Sequence, residues 1–272
     1  MREVRQYRVA QVAPYVNWLY FYHAWQVGGK GEGERESLKA DADDMLRHFD
    51  KHYSTKAVVA LFDACAEGDD IILEGSKRIP MLRQQAPDAK GECLCLADFV
   101  APAGSGKMDK VALFAATVDP MMENEPSDDP YRRMLAQTLA DRLAEATAER
   151  LHEEVRKQLW GYAAGENLTM DDLHAEKFQG IRPAVGYPSL PDTSLNFIID
   201  RLIDMREVGI RLTENGAMRP HASVSGLMLA HPKARYFNLG KIGNDQLADY
   251  ARRRGMPMEM ARKFLATSIG KS

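Results

Sequence analysis

The sequence predicts a single α+β domain with a largely antiparallel, twisted sheet flanked by helices. Its 272 residues are 45% hydrophobic and 28% charged, the balance of a globular chain that can bury a substantial core. Short apolar segments are separated by turns, and amphipathic helices follow one another in blocks, which favours hairpins over a repeated βαβ layout. We find no internal repeat or low-complexity segment, so we expect one domain.

The first half of the chain predicts a helical entry followed by strands. The aromatic residues 15–25 predict a buried helix or extended entry segment that ends at the glycine-rich residues 28–31. Ser37 is placed to cap a helix over residues 38–52, whose apolar side chains recur every three or four positions. Turn residues at 67–70 predict a hairpin. The strands are then expected over residues 57–62, 71–73, 93–100 and 111–118.

The second half begins with the longest predicted helix. Asp129 and Pro130 form a capping pair, and a slowly drifting apolar stripe extends the helix to about residue 159. The remaining elements are expected to be a short helix at 169–176, a helix at 191–205, a hairpin of strands at 223–229 and 236–242, and helices from Asn244 to Gly255 and from Pro257 onward.

The charge and cysteine content exclude several classes of protein. A net charge of −3 gives no overall basic surface for nucleic acid or an anionic membrane. No apolar run approaches the roughly 20 residues of a spanning helix, and the N-terminus lacks the apolar core of a secretion signal, so we expect a cytoplasmic location. Cys65, Cys93 and Cys95 are spaced for neither a disulfide framework nor a zinc site, so we interpret them as reduced packing residues.

Two segments resemble ligand-binding motifs only in part. Residues 101–108 resemble a phosphate-binding loop, but they lack its first glycine and the hydroxyl residue after Lys107. The helix position four residues after His152 is Arg156, not a second histidine. We therefore expect a surface turn in the first case and no metal site in the second.

The most informative segment is residues 180–188, with the sequence GIRPAVGYP. Its two prolines fix φ and push the residues before them toward extended geometry, so Arg182 and Tyr187 lie on a stiff, non-helical loop. Gly186 lets another group approach the backbone closely, and a guanidinium offers paired donors for a carboxylate or phosphate. Residue types alone leave two interpretations open, a small-molecule site and an ordinary connection whose arginine meets a surface acid.

Candidate acids and aromatics accompany this loop. Glu145 and Glu149 lie on the flank of the long helix away from its apolar stripe, where a solvated ion-pair face is the usual explanation. Glu176 comes just before the loop. Tyr236 and Phe237 begin a predicted strand in which adjacent side chains face opposite ways, so at most one of them should contact a ligand.

Several sequence blocks, taken in order, resemble the activation domain of cobalamin-dependent methionine synthase. The likeness runs from about residue 15 to the C-terminus, with residues 1–14 as a divergent N-terminal segment, and includes that family's RPxxGYP signature. The blocks are LADFVAP at 96–102, ADRLAEA at 140–146, LHEEVRK at 151–157, WGY at 160–162, QGIRP at 179–183, ASVSG at 222–226 and DYARR at 249–253.

The resemblance implies an S-adenosylmethionine-binding domain that serves the reductive methylation of cob(II)alamin and not the homocysteine reaction itself. Arg182 would bind the methionine carboxylate, and an acid at Glu145 suits the sulfonium and ammonium charges. No catalytic residue is required, because methyl transfer removes no proton. The residues that the resemblance implies at the ligand are Asn17, Glu145, Arg182, Ala184, Gly186, Tyr187, Tyr236 and Phe237, with Glu176 as a further candidate.

The same resemblance implies two partners, a cobalamin-binding module and a flavodoxin-like electron donor. The chain has no Asp-x-His-x-x-Gly to ligate cobalt and no cysteine set for the zinc that activates homocysteine. The cobalamin module is therefore either on a separate chain, which Met1 and the divergent first residues favour, or in a part that has been removed.

Two positions depart from the family pattern. Asn17 stands where similar domains have Asp, and Phe237 stands where they have a second tyrosine. An amide oxygen accepts a hydrogen bond but supplies no charge, and Phe237 keeps only its backbone groups. These departures keep two alternatives open: a non-catalytic sensor or interaction module of the same fold, and an activator of another corrinoid methyltransferase.

Overall fold

The computed structural model describes residues 1–27 and 32–270, and its centre is a six-stranded antiparallel sheet. The strands are β1 (Arg2–Arg8), β2 (Ser54–Glu67), β3 (Asp70–Leu73), β4 (Lys77–Pro80), β5 (Asp109–Val118), β6 (Arg211–Leu212), β7 (Met218–Arg219) and β8 (Ser223–Met228). The order is β4-β3-β2-β5-β8, with β1 beside the first half of β2, while β6 and β7 form a separate two-stranded sheet. The predicted α+β class is confirmed.

Helices cover both faces of this sheet. They are α1 (Val9–Val12), α2 (Trp18–Ala24), α3 (Glu32–His52), α4 (Pro120–Glu123), α5 (Pro130–Glu154), α6 (Met170–His174), α7 (Leu195–Ile203), α8 (Asn244–Arg254) and α9 (Met258–Phe264). Asp129 caps the longest helix, α5, by accepting a hydrogen bond from the Tyr131 N–H, as predicted. One π-helical turn, Val155–Leu159, continues α5 to the predicted end.

Alternating residues of β2 and β5 fill the two layers of the core. Val59 and Phe114 face the layer packed under α3 and α5, whereas Val58 and Leu113 face the layer packed under α7. Side chains of successive strand residues point to opposite faces, so a sheet that is covered on both sides needs the nearly continuous apolar runs of these two strands. A third, smaller cluster joins α8 and α9 to the end of the sheet.

Three expectations about strands and cysteines were wrong. Residues 93–100 form one bridge at Cys95 and then a 3₁₀ turn, because the Asp98 carboxylate accepts the Cys95 N–H and binds Arg83. Residues 236–242 form no strand beside β8. Cys65 is half-buried and Cys95 buried, but Cys93 is exposed and therefore does not pack.

The helix boundaries near the N-terminus also differ from expectation. Ser37 does not cap a helix, because α3 already begins at Glu32. The aromatic segment contains a 3₁₀ turn, Ala13–Tyr15, followed by α2, and its predicted glycine-rich end at residues 28–31 lies outside the described residues. Residues 102–108 are an exposed turn region, as predicted.

Neither membrane spanning nor metal binding is indicated by the described part of the chain. Its helices include none that is both long and apolar enough to cross a membrane. No cluster of three or more His, Cys, Asp or Glu side chains is arranged there to hold a metal ion.

Candidate functional site

The loop that carries Arg182 is held against the free edge of β8. Ile181 exchanges two backbone hydrogen bonds with Leu229, and Val185 N–H donates to the Ser225 carbonyl at 2.9 Å. Gly226 makes this contact possible, because a Cβ atom there would lie 2.1 Å from the Pro183 carbonyl oxygen. Residues 181–185 thus occupy the edge that the sequence assigned to residues 236–242.

This pairing decides which backbone groups of the loop face outward. Residues 181, 183 and 185 bond to the β8 edge, so the N–H groups of Arg182 and Ala184 point away from it. The Tyr236 hydroxyl accepts the Arg182 N–H at 2.9 Å. The Ala184 N–H has no acceptor among the described residues. One amide donor beside the arginine is therefore available to another molecule.

The Arg182 side chain lies between the sheet and α5. Its guanidinium is 5.7 Å from the Phe114 ring centroid, and its Nη2 donates to Glu149 Oε2 at 3.1 Å. Burial would lower the pKa of Arg182, but the charges of Glu149, Tyr236 and Glu145 outweigh burial and raise it. The side chain is only 11% exposed, yet its Nε is a buried donor with no partner in the described structure.

A row of acids on α5 faces this loop. Asp141, Glu145, Glu149 and Glu153 follow one another at intervals of four residues, which places them on one side of the helix. Like charges at this spacing repel, and here each acid has a separate partner. In chain order the partners are His221, Tyr187, Arg182 and Tyr15. The middle of this flank is thus part of the loop contact and not the solvated ion-pair face that is usual for such a pattern.

Tyr187 closes the loop over α5. Its hydroxyl donates to Glu145 Oε1 at 2.6 Å, and burial together with the Glu145 charge raises its pKa. Gly186, with φ of 89°, permits the turn in which its N–H donates to the Leu190 carbonyl. An open cleft of about 320 Å³ adjoins this turn on the side of Asn238 and Lys241.

Glu176 contributes a further negative charge. It adopts a left-handed backbone conformation, with φ of 54°. Burial and then the Glu149 charge raise its pKa, while Arg182 lowers it. Glutamates 145, 149 and 176 all interact electrostatically with Arg182, and Arg142 adds a second positive charge near Tyr187. The remaining excess of acids would suit a ligand that carries positive charge as well as a carboxylate.

The other candidate residues named from the sequence make different contacts and do not form one cluster. Phe237 packs against the core layer under α7, whereas Tyr236 reaches the Arg182 backbone. Ala184 is buried beside Gly226. Asn17 caps α2 by accepting the Leu19 N–H at 3.1 Å, and the contacts that join Arg182, Glu145 and Tyr187 do not extend to it.

Sequence reasoning assigned no ligand role to two positions that shape this site, Glu149 and Gly226. A signal existed for Glu149, since it lies four residues after Glu145 on the same helix face. No local signal reveals that Gly226 meets Pro183, because their contact joins segments 43 positions apart in the sequence.

The fold and the site together define an α+β domain in which a loop at the sheet edge holds a buried arginine against the acids of a long helix. The chain belongs to the family of vitamin B12 dependent methionine synthase activation domains, whose pattern it matches over residues 8–255. It is also similar to a solved structure, the crystal structure of the MetH reactivation domain bound to AdoHcy, with 37% sequence identity and a TM-score of 0.94. That match covers 100% of this chain and 91% of the other. The resemblance stated from the motifs is confirmed.

Proposed function

We propose that this domain binds S-adenosylmethionine and reactivates cobalamin-dependent methionine synthase by reductive methylation. The observation that carries the proposal is that two donors of the loop have no hydrogen-bond partner in the described residues, the buried Arg182 Nε–H and the Ala184 N–H. A methionine carboxylate would supply acceptors for such donors, with charge-assisted hydrogen bonds from the guanidinium. The similar MetH reactivation domain, bound to AdoHcy, supports this choice of ligand.

The remaining site residues fit the other groups of this ligand. Glu145 and Glu176 supply negative charge for its sulfonium and ammonium groups. Gly186 and Tyr187 would bound the nucleoside side, and Tyr236 would hold the Arg182 backbone and shape the cobalamin-facing edge. Phe237 would add only backbone contacts, and Asn17 would add a neutral hydrogen bond.

The domain's contribution to the reaction would be positional. An electron from a flavodoxin-like donor would reduce the cob(II)alamin of a partner module, and the sulfonium methyl group would pass to cobalt, leaving S-adenosylhomocysteine. Aligning the methyl group and excluding water require rigid binding contacts but no general base. We propose a cytoplasmic location and a cobalamin-binding module of methionine synthase as the partner.

Calorimetric titration of S-adenosylmethionine tests the proposal. We expect saturable binding to the wild-type chain and its loss in Arg182→Ala. Arg201→Ala is a matched control, because Arg201 is an exposed arginine of α7 on the other side of the sheet. A folded wild-type chain that gives no heat up to millimolar ligand would contradict the proposal and favour the sensor or interaction module.

The second test concerns the reaction. With a cobalamin-binding module, a chemical reductant and S-adenosylmethionine as the methyl donor present, the domain should accelerate conversion of cob(II)alamin to the methylated form, which is followed by its visible absorbance. Arg182→Ala should not. Equal conversion with and without the domain would show that it has no part in the methyl transfer.

A further inference from the structure

The buried partner of the Arg182 guanidinium is Glu149, one helical turn beyond Glu145. The Glu149 side chain is 16% exposed and the Glu145 side chain 31%. Glu149 is therefore the inner acid of the pair. Isolating two charges from water is expensive and is offset only by good mutual contacts, so the details of this contact matter.

The contact between the two side chains uses few of the available atoms. Nη2 of Arg182 donates to Glu149 Oε2 at 3.1 Å, while Glu149 Oε1 and Arg182 Nε are both buried and have no hydrogen-bond partner in the described residues. Nη1 is 3.8 Å from the nearer Glu145 oxygen, beyond hydrogen-bond distance. Glu149 thus holds the guanidinium at one corner and leaves Nε and Nη1 without a hydrogen bond to a described residue.

We propose that Glu149 is a positioning residue, which orients Arg182 so that the open donors of the guanidinium recognise the carboxylate of the ligand. The inference rests on the proposed function. A carboxylate can bind without displacing Glu149, because a guanidinium has five N–H donors in a fixed plane. Without Glu149, the nearest acid is Glu145, and a direct Arg182–Glu145 pair would occupy the donors that the ligand needs.

The charge of Glu149 acts in the opposite direction, since an acid near the site repels a ligand carboxylate. Orientation is the larger effect, because Arg182 neutralises Glu149 at 3.1 Å before the ligand arrives, whereas a misdirected guanidinium loses charge-assisted hydrogen bonds altogether. We therefore expect removal of the Glu149 charge to weaken binding of carboxylate ligands.

Two ligands distinguish this role from a merely structural one. S-adenosylmethionine and its decarboxylated analogue share the sulfonium and the nucleoside, and only the first has a carboxylate. In calorimetric titrations, Glu149→Gln should weaken S-adenosylmethionine binding on the order of tenfold and leave binding of the decarboxylated analogue within about twofold of wild type. The readout is thus the affinity for S-adenosylmethionine divided by the affinity for the decarboxylated analogue, a ratio that Glu149→Gln should lower.

Glu153→Gln is the matched control, one turn further along the same helix face, where the carboxylate contacts Tyr15 and Lys157. It should leave the ratio unchanged. If Glu149→Gln does not fold, Glu149→Asp decides, because it keeps the charge but shortens the reach and should reduce the ratio several-fold.

Three results would overturn the inference. An unchanged ratio in Glu149→Gln would assign Glu149 to stability alone, and a raised ratio would show that it competes with the ligand for Arg182. If the wild-type chain bound neither ligand, the proposed function would fail and this inference with it. If wild type bound both and Glu149→Gln kept the ratio, only the inference would fail.

Discussion

Replacing Gly226 by alanine tests how the Arg182 loop is attached to the sheet. A Cβ atom at this position would lie 2.1 Å from the Pro183 carbonyl oxygen and 2.9 Å from the Ala184 Cα. Both neighbours are backbone atoms, so no side chain can rotate away. The loop must move off β8 by about 1.3 Å for the first contact to reach the 3.4 Å of ordinary van der Waals distance.

The expected loss of stability follows from the contacts that this movement of the loop disrupts. Two backbone hydrogen bonds lie beside the contact, from Leu227 to Pro183 at 3.0 Å and from Val185 to Ser225 at 2.9 Å. Each contributes roughly 0.5–1.5 kcal/mol net, and overpacking adds roughly 1–3 kcal/mol. Alanine recovers roughly 0.4–1 kcal/mol by restricting the unfolded chain. We expect a loss of about 1–6 kcal/mol in the free energy of unfolding.

Urea denaturation, followed by fluorescence and circular dichroism, measures this loss, and Gly33→Ala is the matched control. A Cβ atom at Gly33 meets nothing within 4 Å, and the residue lies in α3, where alanine stabilises by up to about 1 kcal/mol. The two Gly→Ala changes should therefore shift the midpoint in opposite directions. A Gly226→Ala midpoint equal to that of wild type would refute the close approach, and so the placement of Arg182 that depends on it.

Three further changes test separate contacts. Tyr236→Phe removes the acceptor of the Arg182 N–H, so calorimetry should show several-fold weaker S-adenosylmethionine binding, and unchanged affinity would count against this contact. The pKa of Glu176 is raised in the folded chain, so its carboxyl binds a proton more readily there than in the unfolded chain. The stability that this proton contributes is therefore lost as the pH rises from about 4.5 through the folded pKa. Glu176→Gln should therefore stabilise the chain at pH 7.5 and not at pH 4, and an equal urea midpoint shift at both values would reject this linkage. Arg156→Met leaves the buried Glu166 carboxylate unpaired and should lower the free energy of unfolding, measured by urea denaturation, by about 3–5 kcal/mol. Adding Glu166→Met should recover most of this loss. An Arg156→Met variant as stable as wild type would show that the ion pair contributes nothing.

The sequence correctly predicted the helices and strands that are specified by residues close to them in the chain. The long helix was predicted from its capping pair and apolar stripe, and the β2–β3 hairpin from its turn residues. Strand β1 was missed because, apart from the buried Tyr7, its residues are exposed or half-exposed and mostly polar or charged. Such composition is usual for edge strands, and it resembles that of a loop.

The sequence also singled out the Arg182 loop as structurally restricted, but it did not predict the surroundings of the loop. Two prolines and a glycine around Arg182 restrict the backbone by themselves, so their effect is readable without the fold. Residues 236–242 were predicted to pair with residues 223–229 as a hairpin, but an edge accepts only one neighbour, and the close approach at Gly226 gives that place to residues 181–185. Competition between two segments for one edge is a nonlocal property.

Burying the Arg182–Glu149 ion pair costs stability in the free chain, and this cost has a functional explanation if the site binds a ligand. An Arg182–Glu149 pair with one hydrogen bond and two unpaired buried atoms is a poor stabilising device, since apolar residues of similar size often serve folding equally well. The same incomplete pairing would favour the proposed ligand, because the unmatched Nε donor is already desolvated before a ligand arrives. A carboxylate that completes the pairing then removes the cost of the unpaired donor. On this reasoning the site gives up stability in the free chain and recovers it on binding, so ligand should raise the urea midpoint of wild type and not that of Arg182→Ala.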